Sequence, residues 1–217
     1  MTYKKSAIQV GKEHYFKGYD KLERFISYFY QIDLVNKIKP KNILELGVGN
    51  KTVANYLKQN GMKIETCDFD KDLEPDHVAD IRNLPFKNNS YDLVMACEVI
   101  EHIPWKDVDK ALNELNRISK KYVLISIPYL SISFEFIFRF PLIRKIFEKG
   151  FVDIFFRIPC FFKAIKFKEH EEHHWEMGAK NHSKRKVKRI LKKYFKIIKE
   201  VRPVLDGYHH FFILEKL

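Results

Sequence analysis

The sequence predicts an α/β fold with a mostly parallel sheet, and three observations carry that expectation. Strand-like apolar runs alternate with segments of helical period along the first 128 residues, the pattern of strands joined by crossover helices. The first run, Ile43-Leu44-Glu45-Leu46, breaks directly into Gly47-Val48-Gly49-Asn50, as a buried strand does when it hands a nucleotide-like ligand to a helix start. A second run ends in Asp68-Phe69-Asp70, about 20 residues beyond the glycines, the spacing of a carboxylate that accepts two ribose hydroxyls.

The elements follow in order. Residues 19–38 place Leu22, Phe25, Ile26, Phe29 and Leu34 on one helical stripe that Pro40 stops, so a leading helix is expected on the sheet edge or over the ligand. Glycines 47 and 49 allow a close backbone approach that a side chain blocks, and the amides opening the next helix, residues 51–59, face the ligand. Glu45, at the strand tip, suits a cationic group. Thr52 stands where a dinucleotide fingerprint has its last glycine or alanine, which counts against a pyrophosphate. Residues 62–67 and 90–96 read as further strands and residues 122–128 as the fifth. Residues 183–195 read as a late helix with Val187, Ile190, Leu191 and Tyr194 inward and its bases outward.

Between these elements lie Asp80-Ile81-Arg82-Asn83-Leu84-Pro85-Phe86, Asp92-Leu93-Val94 and Cys97-Glu98-Val99-Ile100-Glu101-His102. Together with Glu45-Leu46-Gly47-Val48-Gly49 and the strand-ending Asp68, they resemble the class I S-adenosylmethionine-dependent methyltransferases, closely over residues 41–128 and loosely in the C-terminal tail. The resemblance implies a seven-stranded, mostly parallel Rossmann-like sheet with helices on both faces, residues 195–204 and 209–215 supplying its last two strands. It implies S-adenosylmethionine as cofactor, with Glu45, Gly47 and Gly49 against its methionine part, Asp68 on the ribose and Asp80 on the adenine amino group. The Ile81 amide then meets the adenine ring, Cys97 lies beside the cofactor, and Glu98 sits at the methionyl end or the substrate. Asn50 replaces the family's commonest third glycine, and because asparagine tolerates left-handed backbone angles the turn is expected to survive. Taken singly, Asp68 and Asp70 read equally well as turn residues and Asp80 as a cap.

The chain divides into an N-terminal helical segment, residues 1–40, and a methyltransferase-like domain, residues 41–217, interrupted by an insert at 129–180. Some fifty residues are too many for a structureless loop, so a helical cap is expected there. The insert is dense in phenylalanine, but it has no window of ~20 apolar residues, and Pro141 and Pro159 break it further, so it does not span a bilayer. It is expected to be a lid on the acceptor, because in the fold it resembles this region lies beside the transferred methyl. The competing expectation is peripheral contact with anionic lipid through residues 134–168, with Arg139, Arg144, Lys145, Arg157, Lys163 and Lys166 toward headgroups.

Three scattered cysteines, 67, 97 and 160, exclude a disulfide framework, and the first residues lack a secretory signal. A cytoplasmic location is expected, with the inner face of the membrane as its alternative. The net charge of +12 comes largely from the helix at 183–195, ordinarily a solvated face, and no aromatic RNA-binding motif accompanies it. No strong nucleic-acid signal results.

Glu98, Glu101 and His102 stand at i, i+3 and i+4, so a helix there presents two carboxylates and an imidazole on one face, a donor set for a divalent cation such as Mg. Ubiquinone-pathway O-methyltransferases and small-RNA 2′-O-methyltransferases, relatives within the resembling group, use this pattern for metal; residues 169–178 offer a further ligand. The plainer alternative is that Glu101 and His102 only cap and pin the helix. For acid–base work the expected groups are His102, Glu98, His173 and His174, histidine titrating nearest neutrality. His173 and His174 also read as a salt-bridged surface turn. The expected activity is O-methylation of a small metabolite or a sugar-linked precursor of surface polysaccharide. The glycan part rests on the resemblance of His173-His174-Trp175-Glu176-Met177-Gly178 to methyltransferases of such pathways. The alternatives are a nicotinamide-dependent oxidoreductase and a membrane- or RNA-associated binding protein that keeps the fold.

Overall fold

In the computed structural model, which describes residues 12–17, 19, 21–141, 150–159 and 172–217, a 3-10 turn at Lys12–Tyr15 precedes helix α1 (Leu22–Ile38). Strand β1 (Asn42–Leu46), helix α2 (Thr52–Gln59), β2 (Lys63–Asp68), β3 (His77–Val78), β4 (Tyr91–Cys97), helix α3 (Trp105–Ile118) and β5 (Ser119–Pro128) follow. Then come β6 (Ser133–Pro141), β7 (Phe151–Pro159), helix α4 (Lys184–Leu191), β8 (Phe195–Val201) and β9 (His209–Lys216). Seven strands form one sheet in the order β3-β2-β1-β4-β5-β9-β8, parallel from β3 to β5, with β9 antiparallel to both neighbours. An antiparallel strand inside that edge departs from the order of a dinucleotide dehydrogenase, which counts against the nicotinamide reading.

Both faces of the sheet are covered, which explains why its strands read as continuous apolar runs. Alternate residues divide between two cores. Leu44, Leu46, Val94, Ala96, Val123 and Ile125 meet Val108, Leu112, Leu115 of α3 and Val187, Leu191 of α4. Ile43, Leu93, Met95, Leu124 and Phe211 meet Leu34, Val35 of α1 and Val53, Ala54, Leu57 of α2. The basic late helix thus buries Val187 and Leu191 as expected, while Lys184 and Lys188 pair with Glu200.

Two expectations fail here. Helix α1 buries Ser27, Gln31, Leu34 and Val35, whereas Leu22, Phe25 and Phe29 of the supposed inward stripe are exposed. The expected helical cap within 129–180 is instead, over 133–141 and 151–159, an antiparallel hairpin of β6 and β7. Its sequence alternates Phe134, Phe136, Phe138 and Phe140 with other residues at period 2, the strand period, and aromatic and β-branched residues dominate both strands. The expected cap over residues 142–149 and 160–171 lies outside the described residues, as do Arg144, Lys145, Lys163 and Lys166. Among the described residues no helix is long and apolar enough to cross a membrane.

Candidate active site

The site forms where β1, β2 and β4 end. Gly47 has φ +77°, and a Cβ there would lie 2.4 Å from Val99 Cγ2, so the turn and the close approach both demand glycine. Asn50 does not take the left-handed conformation expected of it. Lys51 does, with φ +60°, and the Asn50 side chain accepts from the Thr52 amide at 3.1 Å and from the Tyr28 hydroxyl at 3.2 Å. The third glycine is replaced by a residue whose side chain holds the first amide of α2, one position before the cap residue Lys51.

At the end of β2, Asp68 Oδ2 accepts from the Val48 amide and Oδ1 from the Asp70 amide, both at 2.9 Å, which ties the second strand to the glycine turn. Burial pushes its carboxyl up, and these amides act against the shift. Asp70 caps the following 3-10 turn through the Asp72 amide. Asp80 is gripped by Arg82, which also reaches Asp107. Burial opposes the Asp80 charge, but the guanidinium holds the carboxyl below its usual range. Glu45 is fully enclosed; burial pushes it up to about 8 against the pull of Lys58, and its Oε2 has no hydrogen-bond partner.

A cavity of about 320 Å³ opens over these residues. Glu45, Gly47, Gly49, Asp68, Asp80, Ile81 and Cys97 all line it, as do Glu98, His102 and His173; Glu101 and His174 do not. The lid over it was not read from the sequence in detail: Tyr15, Tyr19, Arg24 and Tyr28 come from the N-terminal turn and α1, and Tyr208 comes from the β8–β9 loop. Their signal is the run of aromatics from His14 to Tyr30. Burial beside Asp68 and Asp70 pushes the Tyr15 hydroxyl up to about 12. The Cys97 thiol is raised by burial and by Glu45 and Glu98, so it is no nucleophile.

The expected helical face of Glu98, Glu101 and His102 does not form. Glu98 has φ +55° and only Ile100–His102 make a 3-10 turn, so Glu98 does not join Glu101 and His102 on one helical face. Glu98 Oε1 accepts from Ser126 Oγ at 2.7 Å, while Oε2 lies 3.7 Å from His209 Nε2. His209 is buried and its Nδ1 meets Asp206 Oδ2 at 2.5 Å; burial opposes its charge, but Glu98 and Asp206 outweigh it and raise the imidazole. This pairing was missed because it joins residues 111 positions apart in the chain. A second hollow, of about 400 Å³, adjoins the first and is bordered by His14, Tyr19, Arg24, Asp206, Tyr208 and His209.

The donor atoms that do converge belong to Glu101, His102 and His173, all within 4.8 Å of one another. Of the donors expected from sequence, Glu101 and His102 come together with His173 of the 169–178 stretch, and Glu98 stays outside that cluster. Neither Glu101 carboxyl oxygen has a hydrogen-bond partner, and burial together with Glu98 raises the group well above the carboxylate range. Burial, with His173 nearby, drops His102 to about 4. Its Nδ1 donates to the Glu172 carbonyl, leaving Nε2 as an acceptor. His173 bonds Glu176 at 2.9 Å, and Tyr208 donates to the same Glu176 oxygen at 2.7 Å. The His174 amide holds the Glu101 carbonyl at 3.0 Å.

The parallel sheet with its inserted antiparallel strand, and the glycine turn beneath a carboxylate-lined cavity, give the chain the fold of the class I S-adenosylmethionine-dependent methyltransferases. Residues 44–127 match the family described as a methyltransferase domain. Norajmaline N-methyltransferase of Rauvolfia serpentina is 31% identical over 98 residues, 37% of this chain, and the chain spans only 33% of that relative's length. Among solved structures, an S-adenosylmethionine-dependent methyltransferase of Clostridium acetobutylicum superposes with TM-score 0.60 at 13% identity, covering 94% of this chain and 98% of that one. Magnesium protoporphyrin IX methyltransferase of Synechocystis, with S-adenosylhomocysteine bound, also gives TM-score 0.60, at 12% identity over 90% and 84% of the two chains.

Proposed function

We propose that the protein binds S-adenosylmethionine in the 320 Å³ cavity and transfers its methyl group to a hydroxyl oxygen of a small or sugar-linked acceptor beside Glu98. The observation that carries this reading is the buried Glu45 Oε2, which lacks a partner at the tip of β1. An enclosed carboxyl of that kind is relieved by a cationic group, and the cofactor's amino and sulfonium groups supply one. Five acids line the cavity besides Glu45, namely Asp68, Asp70, Asp80, Glu98 and Glu172, in a chain whose net charge is +12. That local reversal of sign favours a cationic ligand.

When bound, the cofactor supplies an activated methyl carbon for in-line displacement. The residues align the acceptor and exclude water, with Tyr15, Tyr19 and Tyr208 closing the cavity. The acceptor hydroxyl gives its proton to the Glu98 carboxylate, which Ser126 orients and the His209 imidazole faces. His102, whose pKa burial drops to about 4, lines the same cavity.

The convergence of Glu101, His102 and His173 supports a second element of the reading. Their donor types and spacing fit a divalent cation, which would draw acceptor oxygens toward Glu98. Calorimetric titration with S-adenosylhomocysteine, with NAD as the control, tests the cofactor assignment. Radiolabelled methyl transfer to hydroxylated metabolites and nucleotide sugars then tests the acceptor class. Binding of NAD in place of the homocysteine product overturns the proposal.

A further inference from the structure

The β6–β7 hairpin has one wholly apolar face. Residues paired across an antiparallel ladder lie on the same side, and the register sets Phe134 against Ile158, Phe136 against Phe156, Phe138 against Ile154 and Phe140 against Val152. All eight side chains are 41–62% exposed. The opposite face carries the Ile137–Phe155 and Pro141–Phe151 pairs, but it also holds polar pairs that tie it down. Glu135 pairs with Arg157 and Arg139 with Asp153, while Arg157 also donates to the Arg202 and Pro203 carbonyls and Glu135 accepts from the Leu205 amide. The ribbon is therefore anchored through its polar side to the loop before β9, and its aromatic side faces solvent. A contiguous surface of this kind is rarely left exposed in water without a partner.

The charge of the surrounding sequence distinguishes among partners. Between residues 134 and 168 there are eight Lys and Arg against three Asp and Glu, so the bases exceed the pairing capacity of the acids. The same loop touches α1, where the Val204 amide donates to the Tyr30 hydroxyl, and α1 exposes Leu22, Phe25 and Phe29. Aromatic and aliphatic side chains interleaved with excess bases match an interface of acyl chains beneath anionic headgroups. A second basic copy of this chain offers no such complement.

We propose that the Phe134–Ile158 face of the hairpin docks the protein peripherally on an anionic lipid surface. This goes beyond the methyl-transfer reading and does not depend on it. The full-length protein is tested by flotation with phosphatidylcholine vesicles, with and without phosphatidylglycerol. Binding is expected only to the anionic vesicles, and it should fall by at least about tenfold in the variant Phe138→Glu/Ile154→Glu. That variant must keep the wild-type melting temperature; should it fail to fold, single tryptophan reporters give an independent reading. Fluorescence of Phe138→Trp should shift to the blue on anionic vesicles, whereas that of Ile137→Trp, on the other face, should not. Absence of wild-type binding, equal binding to neutral vesicles, or equal shifts from both reporters overturns the proposal. A wild-type dimer that the Glu variant dissociates, without vesicle binding, also overturns it by assigning the face to a second copy.

Discussion

Glu98 Oε2 lies 3.7 Å from His209 Nε2, and the same imidazole holds Asp206 through Nδ1, so two acids flank one buried histidine between the cavity and the second hollow. Its raised pKa keeps the folded-state imidazole charged beyond the ordinary value of 6.5. The stability this contributes is complete below the unfolded pKa and is lost as pH rises through the folded one. His209→Gln should therefore lower the melting temperature more at about pH 6 than at about pH 9. A deficit independent of pH would show that the imidazole is held neutral.

The companion change Glu98→Gln keeps the side chain's shape and removes its charge. Turnover should fall by about 100-fold, the lower end for a lost acid–base group, with affinity for S-adenosylhomocysteine changed by less than about threefold. Calorimetry and initial rates separate the two, and a parallel loss of affinity would place Glu98 on the cofactor.

Asp68→Ala removes the acceptor of the Val48 and Asp70 amides along with the proposed ribose contact. Charge-assisted bonds of this kind contribute about 1.5–3 kcal/mol, so product affinity should fall at least about tenfold in calorimetry. Unchanged affinity would leave Asp68 as a brace for the glycine turn alone.

Asp80→Asn tests a carboxylate already engaged by Arg82. Product affinity should fall severalfold while the ligand-free melting temperature moves by only a few degrees, because the side chain is partly exposed and its ion pair is correspondingly weak. Equal losses with and without ligand would assign Asp80 to the Arg82–Asp107 brace.

Glu45, pushed up to about 8 from 4.5, binds a proton in the folded protein across a window where the unfolded chain has released it. Ligand-free stability should decline between about pH 4.5 and about pH 8, and Glu45→Gln should flatten that decline by an amount on the order of a few kcal/mol. Binding of the cationic cofactor should release a proton near neutrality, visible as a buffer-dependent calorimetric enthalpy. No buffer dependence would mean that the ligand leaves Glu45 protonated.

The parallel half of the sheet was legible because both its faces are buried, so Ile43–Leu46 and Leu93–Ala96 show as apolar runs whatever their partners. The seven positions expected to face the cofactor all line the cavity and lie within a few residues of strand tips, where local sequence determines placement. The surroundings of Glu98 were less legible. Glu98 left its supposed helix by a single left-handed residue, and its contact with His209 depends on β9 pairing with β5, which no local pattern announces. The hairpin was misread because phenylalanine density suggested a cap, although its period of 2 stood in Phe134, Phe136, Phe138 and Phe140.

Strand β9 lies between β5 and β8 although it follows both in the chain, and this sets an order of assembly. On a ribosome, β8 emerges with no edge to join, because its neighbour in the sheet has yet to be made. Until β9 arrives, β5 is an open edge and Phe211 to Leu214 are missing from both cores. His209 is delivered by the same strand, so the wall of the second hollow is completed in the step that closes the sheet. A stalled nascent chain halted after β8 should be protease-sensitive and unable to retain the cofactor, even with every glycine-turn residue already synthesised.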